Sequence, residues 1–141
     1  MLQAAAAFGW EREAEGLLWT IQSKFPREGW VYQGLLIKLQ KDKNTRGLHQ
    51  LYTKMLEVEP KNPALKNNVA LLSLLLNLQV TKANALAKEI YAVDPKNPTF
   101  NSTYAYSLYV QGKTNEAIKT IQQLTPQQLD DPSVAAYYGV V

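Results

Sequence analysis

The chain has 141 residues, a formal net charge of +3 and no cysteine, and 46% of its residues are hydrophobic. This composition is that of a folded protein, and the lack of cysteine excludes disulfides, thiol catalysis and cysteine-based zinc sites. His49 is the only histidine, which excludes a histidine cluster. The first residues lack the basic start of a signal peptide and their apolar run is short and alanine-rich, so the default expectation is a cytoplasmic protein.

The chain repeats a helix-ending signal at a nearly constant interval. A proline closes each of the stretches SKFP, EVEP and AVDP, at Pro26, Pro60 and Pro95. Proline cannot continue a helix, so these positions predict three helix ends that are 34 and 35 residues apart. Two columns of mostly small residues keep a similar period: Ala14, Leu48, Ala83 and Ala117 in one, Gly34, Ala70, Ala105 and Gly139 in the other. A period of about 35 residues indicates an array of helix pairs.

Each unit is predicted to contain a first helix and a second helix. Three dipeptides place a capping side chain before a proline in the first helical position: Asn62-Pro63, Asn97-Pro98 and Asp131-Pro132. The first helix then ends at a turn such as VQGK at 110–113, where Gly112 can adopt a positive φ.

The second helix is predicted at, for example, 114–124, where Ala117, Ile121 and Leu124 lie on one face. An extra residue or two is expected in the turns near 40–47 and 77–82.

The period divides the single segment 1–141 into units of about 1–27, 28–61, 62–96 and 97–130, and the start of a further unit at 131–141. Residues 1–8 correspond to the latter half of a first helix, and the chain stops in the middle of another one. We therefore expect a piece of a longer array, truncated at both ends, whose exposed end helices allow self-association.

Two stretches carry a resemblance to a known family: NSTYAYSLYVQGKTNEAIKTIQQL at 101–124 and GWEREAEGLLWTIQSKFP at 9–26. Both are similar to tetratricopeptide repeats, which pair a Trp/Leu/Gly/Tyr first helix with an Ala/Phe/Ala second helix and close on proline. Trp30 and Gly34 also fit the family's Trp and Gly columns, and the resemblance covers nearly the whole chain. It implies an all-α fold, a right-handed superhelical solenoid of about four helix pairs.

In this family the first helices line a concave groove that holds a peptide or a partner's helix. The resemblance therefore implies a non-catalytic protein–protein interaction scaffold without a cofactor. Projecting the first-helix columns gives eight candidate contacts: Tyr32, Leu35, Asn68, Leu71, Leu75, Thr103, Tyr106 and Tyr109. Tyrosine side chains add stiff contact area, and an asparagine amide can pair with the backbone of an extended ligand.

Two alternatives remain open. The segment could be a structural spacer within a longer repeat protein, in which case the groove should be polar and well packed. It could also be an RNA-binding helical-repeat module, which requires a continuous basic stripe, whereas the groove columns hold only Lys38. No catalytic, cofactor-binding or metal-binding residues are predicted, because Glu11, Glu13 and Glu15 do not converge and no phosphate loop or HExxH motif is present.

Overall fold

A computed structural model describes residues 2–132 and 134, with side chains described from residue 9 onward. This part of the chain contains helices and no strand, which confirms the predicted all-α class. The helices are α1 (Leu2–Lys24), α2 (Gly29–Lys41), α3 (Thr45–Val58), α4 (Pro63–Leu75), α5 (Val80–Val93), α6 (Pro98–Val110), α7 (Thr114–Ile121) and α8 (Pro126–Leu129). Most of the further unit predicted at 131–141, including Gly139, lies outside the described residues.

The helices form two compact units, Met1–Glu59 and Pro60–Val141. In the first unit, α2 packs against both α1 and α3, and its buried residues Val31, Leu35 and Leu39 meet Leu51 of α3. In the second unit, α4, α5, α6 and α7 pack consecutively, and α4 also contacts α6. Contact between alternate as well as successive helices is the packing of a helical-repeat array.

The second helices end where the prolines predict. α1, α3 and α5 end at Lys24, Val58 and Val93, in each case two residues before the proline. The residue that precedes a proline is biased toward an extended conformation, so the helix stops before it.

The first helices of the second unit also begin as predicted. The Asn62 side chain accepts hydrogen bonds from the backbone N–H groups of Ala64 and Leu65, at 3.1 and 3.2 Å. Asn97 accepts in the same way from Thr99 and Phe100, at 3.0 and 3.2 Å. Each asparagine satisfies two of the N–H groups that a helix start leaves without a partner.

Each first helix is followed, two residues after its end, by a residue in the left-handed conformation. Lys43, Asn77 and Gly112 have φ values of 51°, 54° and 77°. The residue after each donates its backbone N–H to a carbonyl of the helix: Asn44 to Leu39 at 2.9 Å, Leu78 to Ser73 at 2.8 Å, and Lys113 to Leu108 at 2.9 Å. These bonds define a Schellman motif, which satisfies the last carbonyls of the helix. The predicted role of Gly112 is confirmed.

The turns differ in length by one residue. Residues 76–79 separate α4 from α5, whereas only 42–44 separate α2 from α3. The extra residue expected near 77–82 is therefore present, and the one expected near 40–47 is not. The longer turn places a second left-handed residue, Gln79 with φ 45°, directly before α5.

Two helix predictions were wrong. Residues 2–24 form one continuous helix, so there is no boundary after residue 8. The stretch QAAAAF has high helix propensity, and Gly9 alone costs only about 1 kcal/mol in a helix interior, which is too little to end it.

The second correction concerns α7, which ends at Ile121 and not at Leu124. The backbone N–H groups of Gln123 and Leu124 donate to Thr120 and Ile121, three residues back, so the chain tightens into a turn. A short helix that the sequence analysis missed, α8, then begins with a capping box between Thr125 and Gln128.

A buried asparagine joins α6 to two other segments. Asn101 Nδ2 donates to the Thr120 carbonyl of α7 at 3.0 Å and to the Pro95 carbonyl at 3.3 Å. Asn101 is fully buried, as are Ser102 and Thr103, so this sequon-like triplet is closed to modification in the folded chain.

We predict that Gly112→Ala lowers the free energy of unfolding by about 1 kcal/mol, because a Cβ disfavours the left-handed conformation. Nothing lies within 4 Å of that Cβ, so the effect is one of the backbone. Gly16→Ala is the matched control, since this glycine lies in the interior of α1 with equally open surroundings. The control should raise the unfolding free energy by a similar amount. Urea titration measures both, and equal signs would contradict the prediction.

We predict that Asn101→Ala lowers the free energy of unfolding by about 1–3 kcal/mol, because the Thr120 and Pro95 carbonyls each lose a hydrogen bond worth about 0.5–1.5 kcal/mol. Asn115→Ala, at an exposed position of α7, should change it by less than about 0.5 kcal/mol. Thermal and urea unfolding followed by circular dichroism compare the two variants. An Asn101→Ala chain as stable as the parent would show that the two hydrogen bonds do not hold α6.

Candidate partner-binding surface

The three first helices have the same length and can be aligned residue by residue. α2, α4 and α6 each contain 13 residues. Their second, sixth, ninth and thirteenth positions follow the spacing of one helix side, which we call the first-helix face. Its members are Trp30, Gly34, Ile37 and Lys41 in α2, Ala64, Asn68, Leu71 and Leu75 in α4, and Thr99, Thr103, Tyr106 and Val110 in α6.

In the second unit this face is apolar and partly open to solvent. On α4, Asn68 and Leu71 are half-buried and Leu75 is 48% exposed. On the neighbouring α6, Tyr106 is half-buried and Val110 is 39% exposed.

Tyr109, which precedes Val110, extends the apolar surface. It is 39% exposed, and its ring stacks on that of Tyr106 with centroids 6.3 Å apart and an interplanar angle of 25°. Thr103 is buried, and within the described chain its Oγ1 has no hydrogen-bond partner. The structure therefore brings Asn68, Leu71, Leu75, Tyr106 and Tyr109 to the solvent side of α4 and α6, and keeps Thr103 beneath it.

In the first unit the predicted residues lie inside the helix packing. Leu35 is fully buried in the core of α2 and α3. Tyr32 is also buried, where its hydroxyl donates to the Pro26 carbonyl at 2.5 Å and accepts from Gln22 Nε2 at 3.4 Å.

The first-helix face of α2 carries two residues that the sequence analysis missed. Trp30 and Ile37 are 59% and 61% exposed. The sequence analysis aligned α2 with α4 on the small-residue column, which pairs Gly34 with Ala70. The left-handed residues Lys43 and Asn77 mark the same point after each helix, and an alignment on them pairs Gly34 with Asn68. Aligning the units on the turns instead of the small residues would have identified Trp30 and Ile37.

The lysines on the first helices are neutralised by ion pairs. Lys38 contacts Asp42 at 2.6 Å and Glu11 at 3.5 Å, and Lys41 contacts Glu11 at 3.2 Å. The hydrogen bond and charge of Lys41, with those of Lys38, hold the pKa of the Glu11 carboxyl below its ordinary value. In the second unit, Lys66 of α4 pairs with Glu89 of α5. A continuous basic stripe is therefore missing from the described first helices.

Other functional features are missing from the part of the chain that the structure describes. It contains no group of three His, Asp or Glu side chains that could hold a metal ion. It also contains no helix long and apolar enough to span a membrane.

Comparison with known proteins bears on the second unit. The tetratricopeptide repeat family model matches residues 74–138, which run from the end of α4 through α8. This region is similar to tetratricopeptide repeats, which supports the family predicted from the sequence. No curated protein matches the chain. Tetratricopeptide repeats form extended surfaces for protein–protein interaction and are typically non-catalytic scaffolds. Leu75, Tyr106 and Tyr109 all lie in the matched region.

We predict that His49 of α3 titrates below its ordinary pKa of 6.5, because burial disfavours the charged ring. Protonation is penalised only in the folded state, so the unfolded chain binds more protons. The free energy of unfolding should therefore fall as the pH drops below 6.5 and level off below the folded-state pKa. Proton NMR of the imidazole measures the midpoint, and His49→Gln should remove this part of the pH dependence. A midpoint at or above 6.5 would contradict the prediction.

Proposed function

We propose that the first-helix face of α4 and α6 binds an apolar segment of a partner protein, either an extended peptide or a helix. The observation that carries the proposal is the stacked pair Tyr106–Tyr109, half-open to solvent on a face without unpaired charge. Leu71, Leu75 and Val110 extend the apolar surface on both sides. The proposed role is that of a scaffold that binds reversibly.

The contact chemistry favours an apolar ligand. Burying apolar surface contributes about 25 cal/mol per Å², and the tyrosine rings lose little conformational entropy when they are covered. The ring stack fixes the two side chains before binding, which lowers the entropic cost further. Asn68 adds one amide that can both donate to and accept from a ligand backbone.

The predicted contacts divide into two groups by burial. Asn68, Leu71, Leu75, Tyr106 and Tyr109 are proposed to touch the ligand. Tyr32, Leu35 and Thr103 are buried, so we propose that they hold the helices in position beneath the face. On α2, in the first unit, Trp30 and Ile37 take the equivalent positions and are exposed.

The structural-spacer alternative is supported less well. A spacer has no use for exposed aromatic and aliphatic side chains, and Leu75 and Tyr109 are both open to solvent. The RNA-binding alternative lacks its electrostatic requirement, because the first-helix face of α4 and α6 contains no charged residue.

The test begins with the parent chain as bait in native cell extract, with bound proteins identified by mass spectrometry and then purified. Affinity is measured for the parent and for a Leu75→Ala, Tyr109→Ala variant. We expect the double variant to bind at least about thirtyfold more weakly, because truncating aromatic contacts at the centre of an interface typically costs 2 kcal/mol or more.

The matched control is Phe25→Ala, Val93→Ala, which removes two exposed apolar side chains at the ends of second helices. It should leave the affinity unchanged, and equal helicity and melting temperature establish that all variants fold. Equal affinity of parent and double variant would contradict the proposal and favour the spacer role.

A further inference from the structure

A cavity lies on the other side of α6, away from the stacked Tyr106 and Tyr109. It is a cavity of about 230 Å³ between α5, α6 and the turn that follows α6. The volume is several times the roughly 30 Å³ that a water molecule occupies, yet it is smaller than the pockets that hold drug-sized molecules. The cavity therefore has room for one small polar group and its hydration.

The charge of the cavity wall is positive. Lys88 of α5 and Lys113 of the turn both line it, and no acidic side chain does. Neither lysine forms an ion pair within the described part of the chain. Glu89, the residue next to Lys88, is engaged with Lys66 of α4 at 2.5 Å. Two like charges therefore face a shared space without a counter-charge.

A hydrogen-bonded chain orients the amides of the wall. Ser107 Oγ donates to Asn84 Oδ1 at 2.7 Å, and Gln111 Nε2 donates to Ser107 Oγ at 3.2 Å. Ser107 is fully buried, so it holds both amides from below. Because the Asn84 oxygen is used in this way, its Nδ2 group remains as a donor.

The apolar part of the wall is equally fixed. Leu108 is buried, and the ring of Tyr104 stacks on that of Tyr91 with centroids 4.6 Å apart. Burial and the nearby Glu116 and Tyr91 raise the pKa of the Tyr104 hydroxyl, which stays protonated as a donor.

We propose that this cavity binds an oxyanion, a carboxylate or a phosphate, through Lys88, Lys113 and the Asn84 amide. Two ammonium groups and an oriented amide match the several lone pairs of an oxyanion, and charge-assisted hydrogen bonds are stronger than neutral ones. The group can belong to an acidic side chain of a bound protein or to a small free anion. The site is separate from the first-helix face and does not depend on the function proposed for that face.

The test uses the intact chain labelled with ¹⁵N, at low ionic strength because screening weakens such contacts. Three probes are titrated separately: inorganic phosphate, N-acetylglutamate amide and, as an uncharged control, N-acetylglutamine amide. The readout is the side-chain amide signals of Asn84 and Gln111. We expect saturable shifts with phosphate, with the glutamate probe or with both, and none with the glutamine probe. Stronger binding of the glutamate probe indicates an acidic side chain as the natural ligand, and stronger binding of phosphate indicates a free anion.

Variants separate a site from a general salt effect. Lys88→Gln and Lys113→Gln should each weaken binding by up to about fivefold, since an exposed charge pair contributes about 0.2–1 kcal/mol. Lys61→Gln, at an exposed junction in the same unit, should leave it unchanged. No saturable shift with any anion, or equal weakening by all three variants, would overturn the proposal. Neither result affects the function proposed for the first-helix face of α4 and α6.

Discussion

The need to satisfy backbone hydrogen-bonding groups at helix ends governs this structure. A helix leaves about four donors and four acceptors unpaired at its ends, and burying them without partners is costly. The chain solves this with an asparagine cap before Pro63 and Pro98 and with a left-handed turn at Lys43, Asn77 and Gly112. In α4 and α6 these start and stop signals lie a constant distance apart, so both helices have 13 residues and expose the same positions. The first-helix face follows from the helix ends.

One of the left-handed positions that follow the first helices contradicts local preference. A residue with a Cβ in this conformation is disfavoured by about 1–2 kcal/mol, and Lys43 adopts it, whereas asparagine, found at Asn77, tolerates it. The residue three positions before the cap is buried in both helices, Leu39 in α2 and Ser73 in α4. A fully buried leucine contributes about 1.5–3 kcal/mol, so burial of Leu39 offsets the strain at Lys43. Packing therefore selects the conformation, and glycine occurs only at Gly112.

Signals confined to a few residues could be predicted from the sequence. Pro60 and Pro95 fix helix ends by sterics, and Asn62 and Asn97 cap helix starts by a local hydrogen bond, so both kinds of boundary were found. The end of α7 was not found in this way, because residues 121–124 carry no proline or glycine that marks it, and the bond from Asn101 to the Thr120 carbonyl joins residues 19 positions apart. The continuity of α1 past Gly9 was missed because the period was extended through a stretch without any turn residue.

The first-helix face could likewise be predicted only where local signals mark the helix ends. Asn68 and Tyr106 could be placed on it because α4 and α6 share clear caps. The prediction for α2 was shifted by two residues, since the small-residue column led from Gly34 to Ala70 although the turns define the register. This shifted register placed Tyr32 among the contact residues. Its partner, the Pro26 carbonyl, comes from the preceding turn and could not be inferred from composition.

The arrangement of α6 favours a binding role for its outer side. The helix buries polar residues, with Asn101 bonded to Thr120 and Ser107 bonded to Asn84 of the preceding helix. It also buries Phe100 and Leu108, whereas Tyr109 and Val110 are each 39% exposed. Replacing buried polar groups by well-packed aliphatic residues is often neutral or stabilising, so stability alone does not require this distribution. The hydrogen bonds fix the helix in place from the inside, and this leaves the apolar side chains available to a ligand. A helix built only to hold neighbouring repeats together would place its apolar residues inward.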